Sequence, residues 1–159
     1  MLYLDSSALI KHYQKEDGSE VLEHKLQSER ESSRIVFTSV LSYAEIHAIL
    51  GRRRREQFLT TREAEELHDR FNEDWVFEIS PVELAVGVLG FVEGIAKAHP
   101  LRGADVIHLA TAIWLRDAAR LGAGPSKYDR EVEFSSSDRQ LCIAAGKFGL
   151  EVFNPLSPR

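Results

Sequence analysis

The segment LYLDSSALIKHY, residues 2–13, joins a short apolar run, an acid and a helical pattern. The run LYL ends at Asp5, and Ser6 and Ser7 follow at positions where serine commonly caps a helix. The next apolar residues then recur at helical spacing: they are Leu9, Ile10 and Tyr13. The segment therefore predicts a buried strand that leads directly into a helix, with a carboxylate at the junction.

Similar short apolar runs alternate with helical patterns along the rest of the chain. The predicted strands are residues 2–4, 35–37, 75–79, 132–134 and 150–153. Predicted helices begin after Gly18, at Thr38 and Ser39, at Thr60, at Pro81, within 101–121 and after Asp138. Helices between successive strands favour a parallel sheet with right-handed crossovers. We predict an α/β fold, a three-layer α/β/α sandwich around a central parallel sheet of about four to five strands.

Length, charge and cysteine usage limit the class of protein. The 159 residues predict one domain over 1–159. The net charge of −5 argues against binding nucleic acid through bulk positive charge. A single cysteine, Cys142, excludes an internal disulfide and fits a reducing cytoplasm. No membrane span and no secretory leader are expected.

Four acids occupy comparable positions relative to the predicted strands. Asp5 follows the first strand, and Glu45 lies two turns into the helix after the second. Asp105 falls in the first turn of the long helix at 101–121, and Asp138 precedes the helix after the fourth strand. Since sites in parallel sheets form beyond the carboxyl ends of the strands, all four are expected at one edge.

Each acid also has a purely structural interpretation. Asp5 and Asp138 are good helix caps, and Asp105 suits the positive end of a helix. Ser42 and Glu45 have the spacing of a capping box, but Glu45 lies inside the helical segment AEIHAIL. A carboxylate among apolar neighbours is costly unless it is paired. Taken together, the four positions favour a shared site over four separate caps.

Four segments, in order, resemble the signature segments of the PIN-domain family, and above all its VapC-type toxin ribonucleases: YLDSSALIK, TSVLSYAEIHAIL, LRGADVIHLATA and SSSDRQLCIAA. The resemblance runs from residue 2 to about residue 153. It implies a Mg²⁺- or Mn²⁺-dependent endoribonuclease that hydrolyses RNA phosphodiester bonds. It also implies a toxin of a type II toxin–antitoxin system, with a VapB-like antitoxin as partner and a homodimeric assembly.

The resemblance assigns the catalytic and metal-binding roles to the four acids, with Asp5 and Asp105 as principal ligands and Glu45 and Asp138 acting partly through water. Ser6 and Ser136 match hydroxyl residues that support the acids, although capping is an alternative for both. Oxygen ligands suit hard divalent cations. Clustered carboxylates repel one another, and a bound cation reverses that cost.

Basic residues near the acids are candidate RNA contacts. Arg102 and Arg139 each neighbour a proposed ligand, and Lys11 follows the first acid along its helix. Lys11 also fits the polar face of that helix. The run Arg52–Arg55 is either a solvated helix end or a contact for RNA or an acidic antitoxin. His108 is interpreted as a packed or hydrogen-bonded residue in preference to a metal ligand.

Two features depart from the family pattern. The segment 123–133 is longer than the usual connection, and it is either a flap or a partner surface. Ser137 replaces a small apolar residue. Two other functions are weighed: a non-catalytic PIN-fold module that binds RNA or protein, and a phosphatase of the haloacid-dehalogenase type. The phosphatase needs a second acid two residues after Asp5, where Ser7 stands.

Overall fold

A computed structural model of the chain describes residues 1–122 and 131–157. Within these residues, five parallel strands form one sheet in the order β3-β2-β1-β4-β5. The strands are β1 Leu2–Leu4, β2 Val36–Ser39, β3 Ile79–Val82, β4 Glu133–Ser135 and β5 Glu151–Phe153. The predicted parallel α/β sandwich is confirmed, with the first strand at its centre.

Seven helices cover the sheet in the described part of the chain: α1 Ser6–Tyr13, α2 Ser19–Glu31, α3 Leu41–Arg55, α4 Thr61–Phe77, α5 Val86–Ala98, α6 Gly103–Arg120 and α7 Arg139–Lys147. Side chains cap several of them where the sequence predicted a start. Asp5 caps α1, Asp138 caps α7, and Thr60 forms a reciprocal capping box with Glu63 at α4.

The core lies on both faces of the sheet, because successive side chains of a strand point in opposite directions. Leu2 and Leu4 of β1 pack into one cluster with apolar residues of α1, α2, α3 and α4. Tyr3, between them, packs into a second cluster with residues of α5, α6 and α7. β1 is thus buried between two helical layers, which explains its short, wholly apolar sequence.

Two predicted elements around residue 80 begin too early: the strand predicted at 75–79 is β3, Ile79–Val82, and the helix predicted from Pro81 is α5, which begins at Val86. Trp75 belongs to the last turns of α4, because its ring packs on Phe71 one helical turn earlier, with centroids 5.6 Å apart. Pro81 does not open a helix but lies in β3, paired with Thr38 of β2. β3 is an edge strand, where the missing N–H of proline is tolerated. Thr38 and Ser39, predicted to open a helix, are strand residues as well.

Residues 123–130 of the predicted insertion lie outside the described residues. In the ranges that the structure covers, the helices are all too short or too polar for a membrane span.

Candidate metal centre

Asp5 lies at the carboxyl end of the central strand and is almost completely buried, with 3% of its surface exposed. As the N-cap of α1, its Oδ1 accepts hydrogen bonds from the Ala8 amide and the Ser7 hydroxyl, both at 2.8 Å. Its Oδ2 accepts from Ser136 Oγ at 2.7 Å. These donors hold the carboxylate in one orientation.

The electrostatic environment of Asp5 combines opposing effects. Burial raises its pKa above the ordinary value, because the ionised form loses its water. His108 and the hydrogen bonds from Ser136, Ala8 and Ser7 act in the opposite direction. Because the buried carboxylate has lost its water, a nearby cation stabilises its ionised form more than it would stabilise an exposed carboxylate.

Glu45 extends from α3 and is half-buried. Its Oε2 lies 2.7 Å from His108 Nε2 of α6, and His108 Nδ1 lies 3.0 Å from the hydroxyl of Tyr3. Burial alone raises the pKa of Glu45, but the hydrogen bonds from His108 and Ser6 bring it below its ordinary value. Burial also raises the pKa of Tyr3 well above its ordinary value, so that side chain remains a neutral phenol.

Asp105 lies in the first turn of α6 and is partly exposed. Burial raises its pKa, while the backbone N–H of Arg102, 3.3 Å from Oδ2, opposes that shift. The negative charge of Asp138 raises the pKa of Asp105 further, because it disfavours a second negative charge nearby. Asp105 and Asp138 are therefore near enough for their charges to repel each other.

Asp138 is exposed, and its Oδ1 accepts from the amides of Gln140 and Leu141 at 2.7 and 3.0 Å. Its own amide donates to Ser136 Oγ at 3.0 Å, and the same hydroxyl donates to Asp5. Ser136 thus joins the fourth acid to the first.

The four acids predicted from sequence come to one edge of the sheet. Three of them, Asp5, Glu45 and Asp105, lie close enough to His108 for a positive charge on its ring to lower their pKa values. The serines predicted to support them contact carboxylates as well: Ser6 contacts Glu45, and Ser136 contacts Asp5.

The predicted basic residues divide into two groups. Arg102 and Arg139 are exposed beside Asp105 and Asp138, at the N-terminal ends of α6 and α7. Lys11 is placed against expectation: it is 5% exposed, and its ammonium binds Glu16 at 2.7 Å and the Asp17 carbonyl at 2.8 Å. A buried ammonium that is bound inside the protein cannot extend to an RNA phosphate, so Lys11 is not a candidate RNA contact.

Sequence reasoning missed two participants. From sequence Ser7 is only a helix cap, yet its hydroxyl contacts both oxygens of Asp5, at 2.8 and 3.0 Å. Tyr3 was interpreted only as part of an apolar run. A signal was available for Tyr3, since a buried phenol usually requires a hydrogen-bond partner. His108 is buried and hydrogen-bonded, as the preferred interpretation had it.

The donor set suits a hard divalent cation, because all four acids offer oxygen ligands. Across residues 1–122 and 131–157, no three His, Cys, Asp or Glu side chains form a group that could hold a metal ion by themselves. Magnesium commonly binds through one or two carboxylates and fills its remaining positions with water and substrate oxygens. The arrangement is compatible with a site of that open kind.

Comparison with known proteins gives a consistent result. The family model described as PIN domain matches residues 2–119, a range that ends before Asp138. Ribonuclease VapC45 of Mycobacterium tuberculosis strain CDC 1551 / Oshkosh and Ribonuclease VapC49 of strain ATCC 25618 / H37Rv are each 32% identical over 117 residues. The match covers 74% of this chain and 78% of each relative.

Solved structures share the fold. VapBC2 from Rickettsia felis, bound to a DNA fragment from its promoter, superposes with a TM-score of 0.63 at 10% identity, covering 97% of this chain and 98% of that one. FitAcB from Neisseria gonorrhoeae gives a TM-score of 0.63 at 16% identity, covering 98% of both chains.

Proposed function

Because this chain belongs to the PIN domain family, we propose that it is a divalent-metal-dependent endoribonuclease of the VapC toxin type. The observation that carries the proposal is the buried Asp5 carboxylate, held by Ser7 and Ser136 at the edge where Glu45 and Asp105 also lie. Relatives that are 32% identical bear the name ribonuclease, which supports RNA as the substrate.

We propose Mg²⁺ as the ion, with Mn²⁺ as a functional substitute, because both prefer oxygen ligands. Asp5 and Asp105 would bind it directly, and Glu45 and Asp138 would complete the site partly through water. Such an ion, when bound, polarises the scissile phosphate and lowers the pKa of an attacking water.

The protein's own residues supply orientation and substrate binding. Ser7 and Ser136 hold the Asp5 carboxylate in place. Arg102 and Arg139 extend into solvent beside the acids, where their guanidinium groups suit phosphate oxygens. A cavity of about 510 Å³ beside Arg139 is lined by further residues of α7 and of the chain from β5 onward, among them Ile143 and Asn154.

The proposal includes a role as the toxin of a toxin–antitoxin pair, with a small VapB-like antitoxin as the partner protein. The VapC names of the relatives that are 32% identical support this setting, and the VapBC2 structure shares the fold. A homodimer is also proposed, because exposed apolar side chains occur near the starts of α3 and α5: Val40, Tyr43, Leu84, Val86 and Leu89. An RNA substrate and a lone cysteine are compatible with a cytoplasmic setting.

The test is cleavage of total RNA by the full chain with Mn²⁺, compared with Asp5→Asn and with the exposed control Asp69→Asn on α4. The expected result is mapped, metal-dependent cuts for the wild type and the control, and none above background for Asp5→Asn. RNA binding without metal-dependent cleavage would instead identify a non-catalytic binding module.

A further inference from the structure

We infer that Tyr3 and His108 position the Glu45 carboxylate, and that His108 does so as a hydrogen-bond donor and not as a metal ligand. The inference deepens the proposed nuclease function and rests on it. Tyr3 lies in β1, His108 in α6 and Glu45 in α3, so three separate elements meet in one chain of hydrogen bonds. Tyr3 is 0% and His108 1% exposed, so water does not compete for the hydrogen bond between these two side chains.

We assign the donor and the acceptor at each contact, which depend on the tautomer of His108, from what each atom offers. A phenol is protonated at neutral pH, and the Tyr3 hydroxyl has His108 Nδ1 at 3.0 Å. If Tyr3 donates, Nδ1 accepts, and a neutral imidazole then carries its proton on Nε2. That N–H donates to Glu45 Oε2 at 2.7 Å, a length typical of a bond to an ionised acceptor. Both ring nitrogens are occupied, and neither is left for a cation.

The contact matters because His108 and Ser6 together hold the Glu45 carboxylate. A glutamate side chain has several rotatable bonds, and fixing them costs conformational entropy. A hydrogen bond from a buried imidazole to Oε2 restricts the positions open to the carboxylate before any ion arrives. Residues that orient ligands in this way typically change metal affinity or activity by about 10-fold to 100-fold when they are replaced.

A buried histidine also contributes to packing, so the test must separate orientation from packing. The amide nitrogen of glutamine lies near the position of Nε2, whereas that of asparagine lies near Nδ1. His108→Gln therefore keeps a donor for Glu45, and His108→Asn keeps only the side toward Tyr3. Tyr3→Phe leaves the imidazole in place but removes the hydroxyl that fixes its tautomer.

The experiment is a Mn²⁺ titration of the full chain without RNA, followed by electron paramagnetic resonance, with circular dichroism to confirm folding. His108→Asn is expected to weaken Mn²⁺ binding by about 10-fold or more, and His108→Gln by less than about 3-fold. Tyr3→Phe is expected to fall between them. Equal weakening in the Asn and Gln variants, or nitrogen coupling from a directly bound imidazole in the wild type, would overturn the inference. If His108→Asn does not fold, Tyr3→Phe against the wild type carries the comparison.

A second measurement does not depend on catalysis. In ¹⁵N NMR of the metal-free chain, His108 is expected to have an unprotonated Nδ1 and a protonated Nε2. A proton on Nδ1 and none on Nε2 would contradict the inference even if RNA is cut normally. A wild type that neither binds Mn²⁺ nor cuts RNA removes the proposed function, and the tautomer then decides alone whether Tyr3 and His108 hold Glu45.

Discussion

Ser136 and Asp5 are 131 positions apart in the chain, yet the Ser136 hydroxyl donates to Asp5 Oδ2 at 2.7 Å. The contact joins the fourth strand segment to the first, because β1 and β4 are neighbours in the sheet. It also draws in Asp138, whose amide donates to the same hydroxyl at 3.0 Å. One serine thus connects two of the proposed ligands.

Replacing Ser136 by alanine is expected to lower RNA cleavage without unfolding the chain. A hydrogen bond to a charged group is worth about 1.5–3 kcal/mol, so kcat/KM should fall by about 10-fold to 100-fold. This hydroxyl lowers the pKa of Asp5, and without it the acid limb of the pH–rate profile should move to higher pH. The matched control is Ser137→Ala, since that hydroxyl donates to the Ser7 carbonyl and not to Asp5. Identical profiles for both variants would contradict this role.

Replacing Asp5 by asparagine is expected to abolish cleavage and to stabilise the metal-free fold by roughly 1 kcal/mol at neutral pH. The sign follows from burial, which raises the pKa of Asp5 in the folded chain. A raised pKa means that the folded state favours the neutral acid, so the wild type loses stability as the pH rises through that folded value. The difference between variant and wild type should therefore be small below the unfolded pKa of about 3.9 and grow above it. Denaturant unfolding at several pH values measures it, and a difference that does not vary with pH would count against the buried charge.

Replacing Asp138 by asparagine separates its two roles. Asparagine is as good an N-cap as aspartate, so α7 should keep its start, and stability should change by no more than about 0.5 kcal/mol. If the charge serves the metal centre, cleavage should fall by about 10-fold or more at fixed Mn²⁺. Thermal unfolding and cleavage assays on the same preparation distinguish the outcomes. Full activity would leave Asp138 as a cap alone.

Replacing Arg102 or Arg139 by glutamine is expected to weaken RNA binding and to lower the slope of log affinity against log salt by about 1 per residue. Both guanidinium groups are exposed beside the acids, where they are available to phosphates. Arg62→Gln is the control, because that arginine is equally exposed but pairs with Glu66 on α4. Filter binding or anisotropy with a catalytically inactive Asp5→Asn background supplies the affinities. A salt slope unchanged in both variants would remove these residues from the interface.

Much of the fold could be predicted because the central strand is apolar throughout and several helices, among them α1, α4 and α7, begin at a capping side chain. The failure at residues 75–81 has a local cause. Trp75 and its neighbours have strand propensity, but the contact between Trp75 and Phe71 extends α4 through them. Pro81 resembles a helix start in isolation, and only its place at the sheet edge explains it as a strand residue.

The site was predictable in part for a similar reason. Acids that follow parallel strands must share an edge, so Asp5 and Asp138 follow from topology alone. Topology does not predict which side chain a given residue contacts. Tyr3 and His108, for example, form a hydrogen bond although they are 105 positions apart. Lys11 illustrates the opposite error: a lysine on a helix is usually solvated, but here Glu16 and the Asp17 carbonyl enclose its ammonium.

Pro81 has a consequence for how the chain behaves at high concentration. An exposed strand border with free N–H groups templates intermolecular pairing and the growth of aggregates. β3 forms one border of the sheet, is only 4 residues long and carries Pro81 at a position that supplies no donor. An incoming strand would meet a gap in its ladder there, so the proline acts as a gatekeeper that favours separate, correctly folded molecules over fibrils.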